Sequence, residues 1–118
     1  EIKDDWDKHF RERNFQKRID KLANKFKGKK ILIYGNGLIS QILQKKYDLS
    51  ALNITAVTDR KFMGYNNSIE CKYKTISPNL VNYADYDAIF IALKLSGHIK
   101  DSIRDKGFKK DIIELTKY

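Results

Sequence analysis

The feature that most constrains the fold is the sequence KKILIYGNGLISQIL, residues 29–43, where an apolar run stops at two closely spaced glycines. Residues 30–34 have the length and the β-branched content of a buried strand, and residues 38–47 have the apolar spacing of a helix. A second apolar run, residues 54–58, follows the helix and ends at Asp59. A strand, a helix and a second strand at this spacing form a unit with parallel strands and a right-handed crossover. The segment therefore predicts a parallel sheet.

The rest of the chain continues the alternation of strand and helix patterns. Residues 86–93 form the strongest buried strand, and Ser96 can cap a helix that continues to residue 106. The expected second helix is replaced by a polar loop at residues 60–72. The remaining expected elements are an extended return at residues 71–76, a short helix at 78–84 and a last strand at 111–115. This alternation predicts an α/β domain at residues 29–118, with a parallel sheet covered on both faces.

A separate helical stripe precedes this domain. Its apolar residues are mostly three or four apart, with one slip between Phe10 and Phe15. They are Trp6, Phe10, Phe15, Ile19, Leu22 and Phe26. Gly28 follows where a helix C-terminus favours a left-handed residue. We expect residues 1–28 to form one long amphipathic helix that packs on the remainder of a larger protein or on a second copy.

The glycine turn is the main candidate for chemistry. Gly35 permits a sharp exit from the strand, and Gly37 lets a phosphate approach the backbone at the start of the next helix. Asp59 lies 22 residues beyond Gly37, the distance expected for a carboxylate that binds ribose hydroxyls. Each residue also has a plainer interpretation, because glycines make tight corners and Asp often forms turns. Arg60 could contact a 2′-phosphate or be solvated.

A second group of candidates follows the fourth expected strand. Ser96 and Gly97 should face the ligand from the opposite side, and His98 is the natural acid or base if the site is catalytic. No nucleophile, paired carboxylate or metal-ligand set accompanies His98, so catalysis is weakly supported and no metal site is predicted. The cofactor-binding candidates are Gly35, Asn36, Gly37, Leu38, Asp59, Arg60, Ser96 and Gly97.

Composition narrows the class of protein. With 118 residues the chain has room for one domain, and the net charge of +9 favours anionic ligands or surfaces. The basic residues are interleaved with acidic ones, which does not favour nucleic acid. No apolar run reaches the roughly 20 residues of a membrane span. The single Cys71 fits a reducing cytoplasm, and a chain that starts at Glu1 is expected to be a piece of a larger protein.

Residues 29–115 resemble a known family through four segments: KKILIYGNGLISQIL, ITAVTDRKFMGY, YKTISPNL and YDAIFIAL. They are similar to the Rossmann-like domain found in bacterial surface-polysaccharide proteins. These include the amino-terminal domains of sugar O-acyltransferases and of nucleotide-sugar dehydratases, and domains appended to glycosyltransferases. The resemblance implies a Rossmann-like three-layer sandwich with a five-stranded parallel sheet of order 3-2-1-4-5. It also implies that the domain binds a nucleotide sugar or a dinucleotide such as NAD(P).

The match extends to single positions. Gly35, Gly37, Asp59 and Gly64 follow the family pattern. The sequence departs from the pattern at two positions: Asn36 replaces the usual Ala, and Ser40 replaces the usual Gly. The repeat-containing catalytic half of the acyltransferases has no counterpart in this sequence, so their activity is not implied.

The leading hypothesis is a non-catalytic nucleotide-binding module of a larger cytoplasmic enzyme of bacterial surface-polysaccharide biosynthesis. A second hypothesis is a fragment of an NAD(P)-dependent oxidoreductase, for which His98 is the one candidate at the nicotinamide. A third is a ligand-free scaffold or oligomerisation domain, in which the amino-terminal helix makes the contact.

Overall fold

The structure is a computed structural model and describes residues 5–60 and 71–118. In these residues strands alternate with helices after a pair of amino-terminal helices. The elements are α1 Trp6–Glu12, α2 Phe15–Lys25, β1 Ile31–Tyr34, α3 Leu38–Lys46, β2 Ile54–Thr58, β3 Thr75–Ile76, β4 Ala88–Ile91, α4 Ser96–Asp105 and β5 Asp111–Glu114. Two 3₁₀ turns, Pro78–Leu80 and Tyr83–Asp85, precede β4.

The five strands form one parallel sheet of order β3-β2-β1-β4-β5, which confirms the predicted order. Ile31 pairs with Ile54 and Ile33 pairs with Val57, so the first two strands are neighbours as expected. The chain runs from β1 outward to β3 and then returns to β4 on the other side of β1. The strand order therefore reverses between β1 and β4, and ligands of open α/β sheets bind at the carboxyl ends beside such a reversal.

Helices cover both faces of the sheet. Ile33 and Phe90 pack with α1, α2 and α3 on one face, whereas Leu32 and Ile89 pack with α4 on the other. Successive side chains of a strand point to opposite faces, so the continuous apolar runs of β1 and β4 supply both layers of the core. This is why every residue of these two central strands is buried.

The expected single amino-terminal helix is wrong: the segment forms two helices that break at Asn14. Asn14 has φ 49° and ψ 59°, a left-handed conformation that Asn tolerates better than most residues. A continuous helix would turn Phe15 away from the face that carries Phe10, since the two residues are five apart in sequence. The break lets both rings pack in the core, with centroids 4.5 Å apart and exposed fractions of 0% and 1%. The slip in the apolar stripe therefore marks a break.

The other differences concern the ends of elements. β3 is shorter than the predicted return strand, and β4 is two residues shorter at each end than predicted. The predicted helix at 78–84 is instead the two 3₁₀ turns. Ser77 and Asn82 each cap one turn by accepting a backbone N–H bond, which divides the segment into two starts. Gly64 and the loop around it lie outside the described residues.

Tyr83 provides a prediction about pH. Burial raises its pKa to about 12, because the neutral phenol is favoured in the folded protein. The unfolded pKa is about 10, so this contribution to stability is complete below pH 10 and is lost as the pH rises toward 12. We expect the free energy of unfolding to fall between these pH values, and Tyr83→Phe to show a smaller fall. Urea unfolding at several alkaline pH values measures the effect; equal falls in both proteins would contradict it.

Candidate functional site

The turn between β1 and α3 is wedged between the ends of the neighbouring strands. Gly35 has φ +118°, and its N–H donates to the carbonyl oxygen of Thr58 over 2.7 Å. A methyl group added at Gly35 would lie 2.8 Å from the carbonyl oxygen of Ala92 and 2.9 Å from the side chain of Leu93. Glycine is therefore required at Gly35 by backbone conformation and by close packing. The corner explains this glycine without a ligand.

Gly37 lies in the opposite situation. It is the N-cap residue of α3, its φ of −96° is ordinary for any residue, and no side chain caps the helix. A methyl group added at Gly37 would meet nothing within 4 Å. Packing therefore does not require glycine at this position. The N–H groups at the start of a helix lack partners within the helix, and such groups attract anions through hydrogen bonds and the helix dipole.

Asp59 is tied to the glycine turn. One of its carboxylate oxygens, Oδ2, accepts the backbone N–H of Asn36 over 2.6 Å. The Asn36 side chain is buried, and its Oδ1 accepts a bond from Gln41 Nε2 over 3.1 Å. The N–H groups of Gly35 and Asn36 thus both donate within the protein. Backbone donation to a ligand falls to Gly37 and the first turn of α3.

A crevice of about 420 Å³ opens at the carboxyl ends of β1, β2 and β4, beside the reversal in strand order. It brings together three of the predicted residues, Asp59, Arg60 and His98. The rest of the lining was not predicted from the sequence, although each of these residues lies at or just after the end of a strand or near the start of α4. These residues are Tyr34, Leu93, Lys94, Leu95 and Ile99.

Ser96 does not cap α4 as predicted. Leu95 occupies the N-cap position, and Ser96 is already the first helical residue. Ser96 is 1% exposed, and its Oγ has no hydrogen-bond partner among the described residues. Thr58 is fully buried, and within the part of the chain that the structure describes its Oγ1 has no partner either; Thr58 pairs with Tyr34 at the same end of the sheet. Two buried hydroxyls near the crevice therefore lack a hydrogen-bond partner in the described residues, and such groups are uncommon in protein interiors.

Two exposed leucines stand at the starts of the two helices. Leu38, the first residue of α3, is 65% exposed, and Leu95, the N-cap of α4, is 79% exposed. A methyl group added at Gly97 would also meet nothing within 4 Å, so the start of α4 is open as well. Both helices beside the reversal in strand order thus begin without a side-chain cap and with an apolar residue in solvent.

The crevice is lined by charged and apolar side chains. It combines the cationic side chains of Arg60 and Lys94 with the carboxylate of Asp59 and an apolar lining. His98 lines it, but within the described residues no hydrogen bond joins His98 to a carboxylate that would orient it. In the same residues no group of three or more His, Cys, Asp or Glu side chains could hold a metal ion.

Comparison with known proteins identifies no family for this chain. No family model matches the sequence, and neither the curated proteins nor the solved structures provide a match. The resemblance to surface-polysaccharide proteins therefore stays a prediction.

Proposed function

We propose that this chain is a nucleotide-binding module whose ligand, a nucleotide sugar or a dinucleotide, lies at the carboxyl edge of the sheet. The observation that carries the proposal is the start of α3 at Gly37, which has no side-chain cap among the described residues and adjoins the bond between Asn36 and Asp59. Packing does not demand glycine there, in contrast to Gly35. A phosphate suits a helix start without a side-chain cap, and Arg60 and Lys94 line the crevice at the same end of the sheet.

Each part of the site has a role in this proposal. The Gly37 N–H and the first turn of α3 donate to a phosphate, and Arg60 adds positive charge from the crevice. Asp59, whose carboxylate also accepts the Asn36 N–H, accepts from a ribose hydroxyl. The aliphatic side chains of Leu95 and Ile99 cover the uncharged part of the ligand.

The size of the crevice suits this class of ligand. Its volume of about 420 Å³ falls in the usual range of small-molecule sites, about 300 to 1,000 Å³. The buried hydroxyls of Thr58 and Ser96 add polar groups at the same edge. The assignment to a larger cytoplasmic enzyme of surface-polysaccharide biosynthesis rests on the sequence resemblance alone.

The test is a thermal-shift panel of NAD(H), NADP(H), UDP-sugars and CDP-sugars with the protein and with Gly37→Val. A ligand at ten times its dissociation constant adds about 1.4 kcal/mol to the free energy of unfolding, which raises the Tm of a domain of this size by roughly 5 °C. We expect one class of nucleotide to cause a shift. Gly37→Val should weaken its binding at least about tenfold, because the side chain fills the space above the helix start.

The controls separate binding from folding. Gly37→Val should remain folded and lose only about 1 kcal/mol of stability, the cost of a poorer N-cap residue. Asn24→Ala, at an exposed position on α2, should bind as the unaltered protein does. Unchanged affinity in folded Gly37→Val, or no shift with any nucleotide, would overturn the proposal.

An oxidoreductase fragment is a second candidate because His98 lines the crevice. It predicts a shift with NAD(H) or NADP(H) and none with nucleotide sugars, so a shift with a nucleotide sugar would exclude the oxidoreductase.

A further inference from the structure

The amino ends of the strands, at the end of the sheet opposite the crevice, carry a basic surface that the nucleotide site does not use. Two adjoining hollows of about 610 and 390 Å³ lie at the amino ends of β4 and β5 and share Lys109 and Lys110. Among the described residues, five lysines and two aspartates line them, a net charge of +3. We call this surface the basic edge; its lysines are Lys25, Lys29, Lys106, Lys109 and Lys110.

Helix dipoles explain only part of this charge. Lysines favour the last turn of a helix, which accounts for Lys25 in α2. Lys29, Lys109 and Lys110 lie in the loops before β1 and β5, beyond any helix end. Asp87 offsets the charge of Lys110, because its Oδ1 lies 3.4 Å from Lys110 Nζ. The other oxygen, Oδ2, accepts the backbone N–H of Lys30 over 2.9 Å. The remaining charge has no partner of opposite sign in this lining except Asp111.

An exposed leucine accompanies these lysines. Leu80 is 73% exposed, and its neighbours Asn79 and Val81 line the larger hollow. The aromatic rings of the same hollow, Tyr83 and Phe108, are buried and pack against each other. Buried rings offer no platform on which nucleic-acid bases can stack. Lysines around an exposed apolar side chain are instead typical of proteins that lie on an anionic membrane surface.

We propose that the basic edge binds the surface of an anionic lipid bilayer, with Leu80 entering the headgroup region. The lysines come from two separate segments, 25–29 and 106–110, and extend over two hollows, which suits a broad negative surface better than a small ligand. No described helix is long and apolar enough to cross a membrane. Because the basic edge lies at the opposite ends of the strands from the crevice, the nucleotide site faces away from the lipid. The proposal does not depend on the nucleotide site.

Co-sedimentation with vesicles tests this proposal. We expect the full chain to bind phosphatidylcholine vesicles that contain phosphatidylglycerol, and to bind pure phosphatidylcholine much less. Lys106→Gln with Lys109→Gln should weaken binding about 25-fold, since each lysine near an anionic surface contributes about fivefold. Leu80→Ser should weaken it several-fold, and high salt should reduce the lysine contribution.

The matched control removes the same charge elsewhere. Lys17→Gln with Lys21→Gln changes two exposed lysines of α2 that do not line either hollow. We expect this variant to bind vesicles nearly as well as the unaltered protein. An equal loss in the control would mean that net charge alone drives binding, which overturns the proposal. Absence of vesicle binding overturns it too, as does binding of single-stranded DNA in its place with the same sensitivity to Lys106 and Lys109.

Discussion

Gly35→Ala is expected to lower the free energy of unfolding by at least about 3 kcal/mol. Two independent costs add at this residue. A φ of +118° is strained for any residue with a side chain, and the new methyl group would lie 2.8 Å from the Ala92 carbonyl oxygen. That oxygen belongs to the backbone that follows β4, so it cannot rotate away as a flexible side chain would. Relief requires the turn to separate from the end of β4.

Gly37→Ala is the matched control, because it makes the same chemical change two residues away. Its φ is ordinary and the methyl group meets nothing, so we expect a cost of about 1 kcal/mol or less. Urea denaturation of both variants measures the difference. Similar losses of stability would show that the turn adjusts freely and that Gly35 is not held by packing.

Phe10→Ala is expected to destabilise the protein by about 3 to 5 kcal/mol, the range for removing a buried aromatic ring. Phe10 is fully buried, with its ring centroid 4.5 Å from that of Phe15 and 6.3 Å from that of Tyr47. The ring thus joins α1 to α2 and to the end of α3. The truncated side chain leaves a cavity where three helices meet.

The control for Phe10→Ala is Lys8→Ala on the same helix. Lys8 is exposed and forms only a long surface ion pair with Glu12, so we expect a loss below about 0.5 kcal/mol. Chemical denaturation distinguishes the two variants. A small loss for Phe10→Ala would mean that α1 packs weakly on the rest of the protein. Contact of the amino-terminal helices with a second copy stays a separate prediction.

Local patterns predicted the sheet well. The apolar runs of β1, β2 and β4 and the helical spacing of α3 lie close together in sequence and depend on backbone periodicity. The bounds of β2 agree residue for residue, and Asp59 does follow it at the carboxyl edge. Strand ends were overextended, because an apolar run continues past the last ladder pair into the loop. The irregular spacing before Phe15 was visible in the sequence. Only the packing of Phe10 and Phe15 in one core shows that it marks a break between two helices.

The sequence indicated where three of the candidate residues lie, but not the hydrogen bonds around them. The sequence placed Asp59, Arg60 and His98 at strand carboxyl ends, and the fold brings them to one crevice. That Asn36 donates to Asp59 depends on two loops 23 residues apart, which no local pattern describes.

The sequence by itself determined the parallel α/β architecture, the tight corner at Gly35 and the position of Asp59 at the carboxyl end of β2. These follow from periodicity and from the backbone freedom of glycine, which are properties of short segments. Only the tertiary structure decided the break at Asn14, the burial of Ser96 and the gathering of distant lysines along the basic edge. Each of these depends on contacts between residues far apart in the chain, because packing and charge act through space.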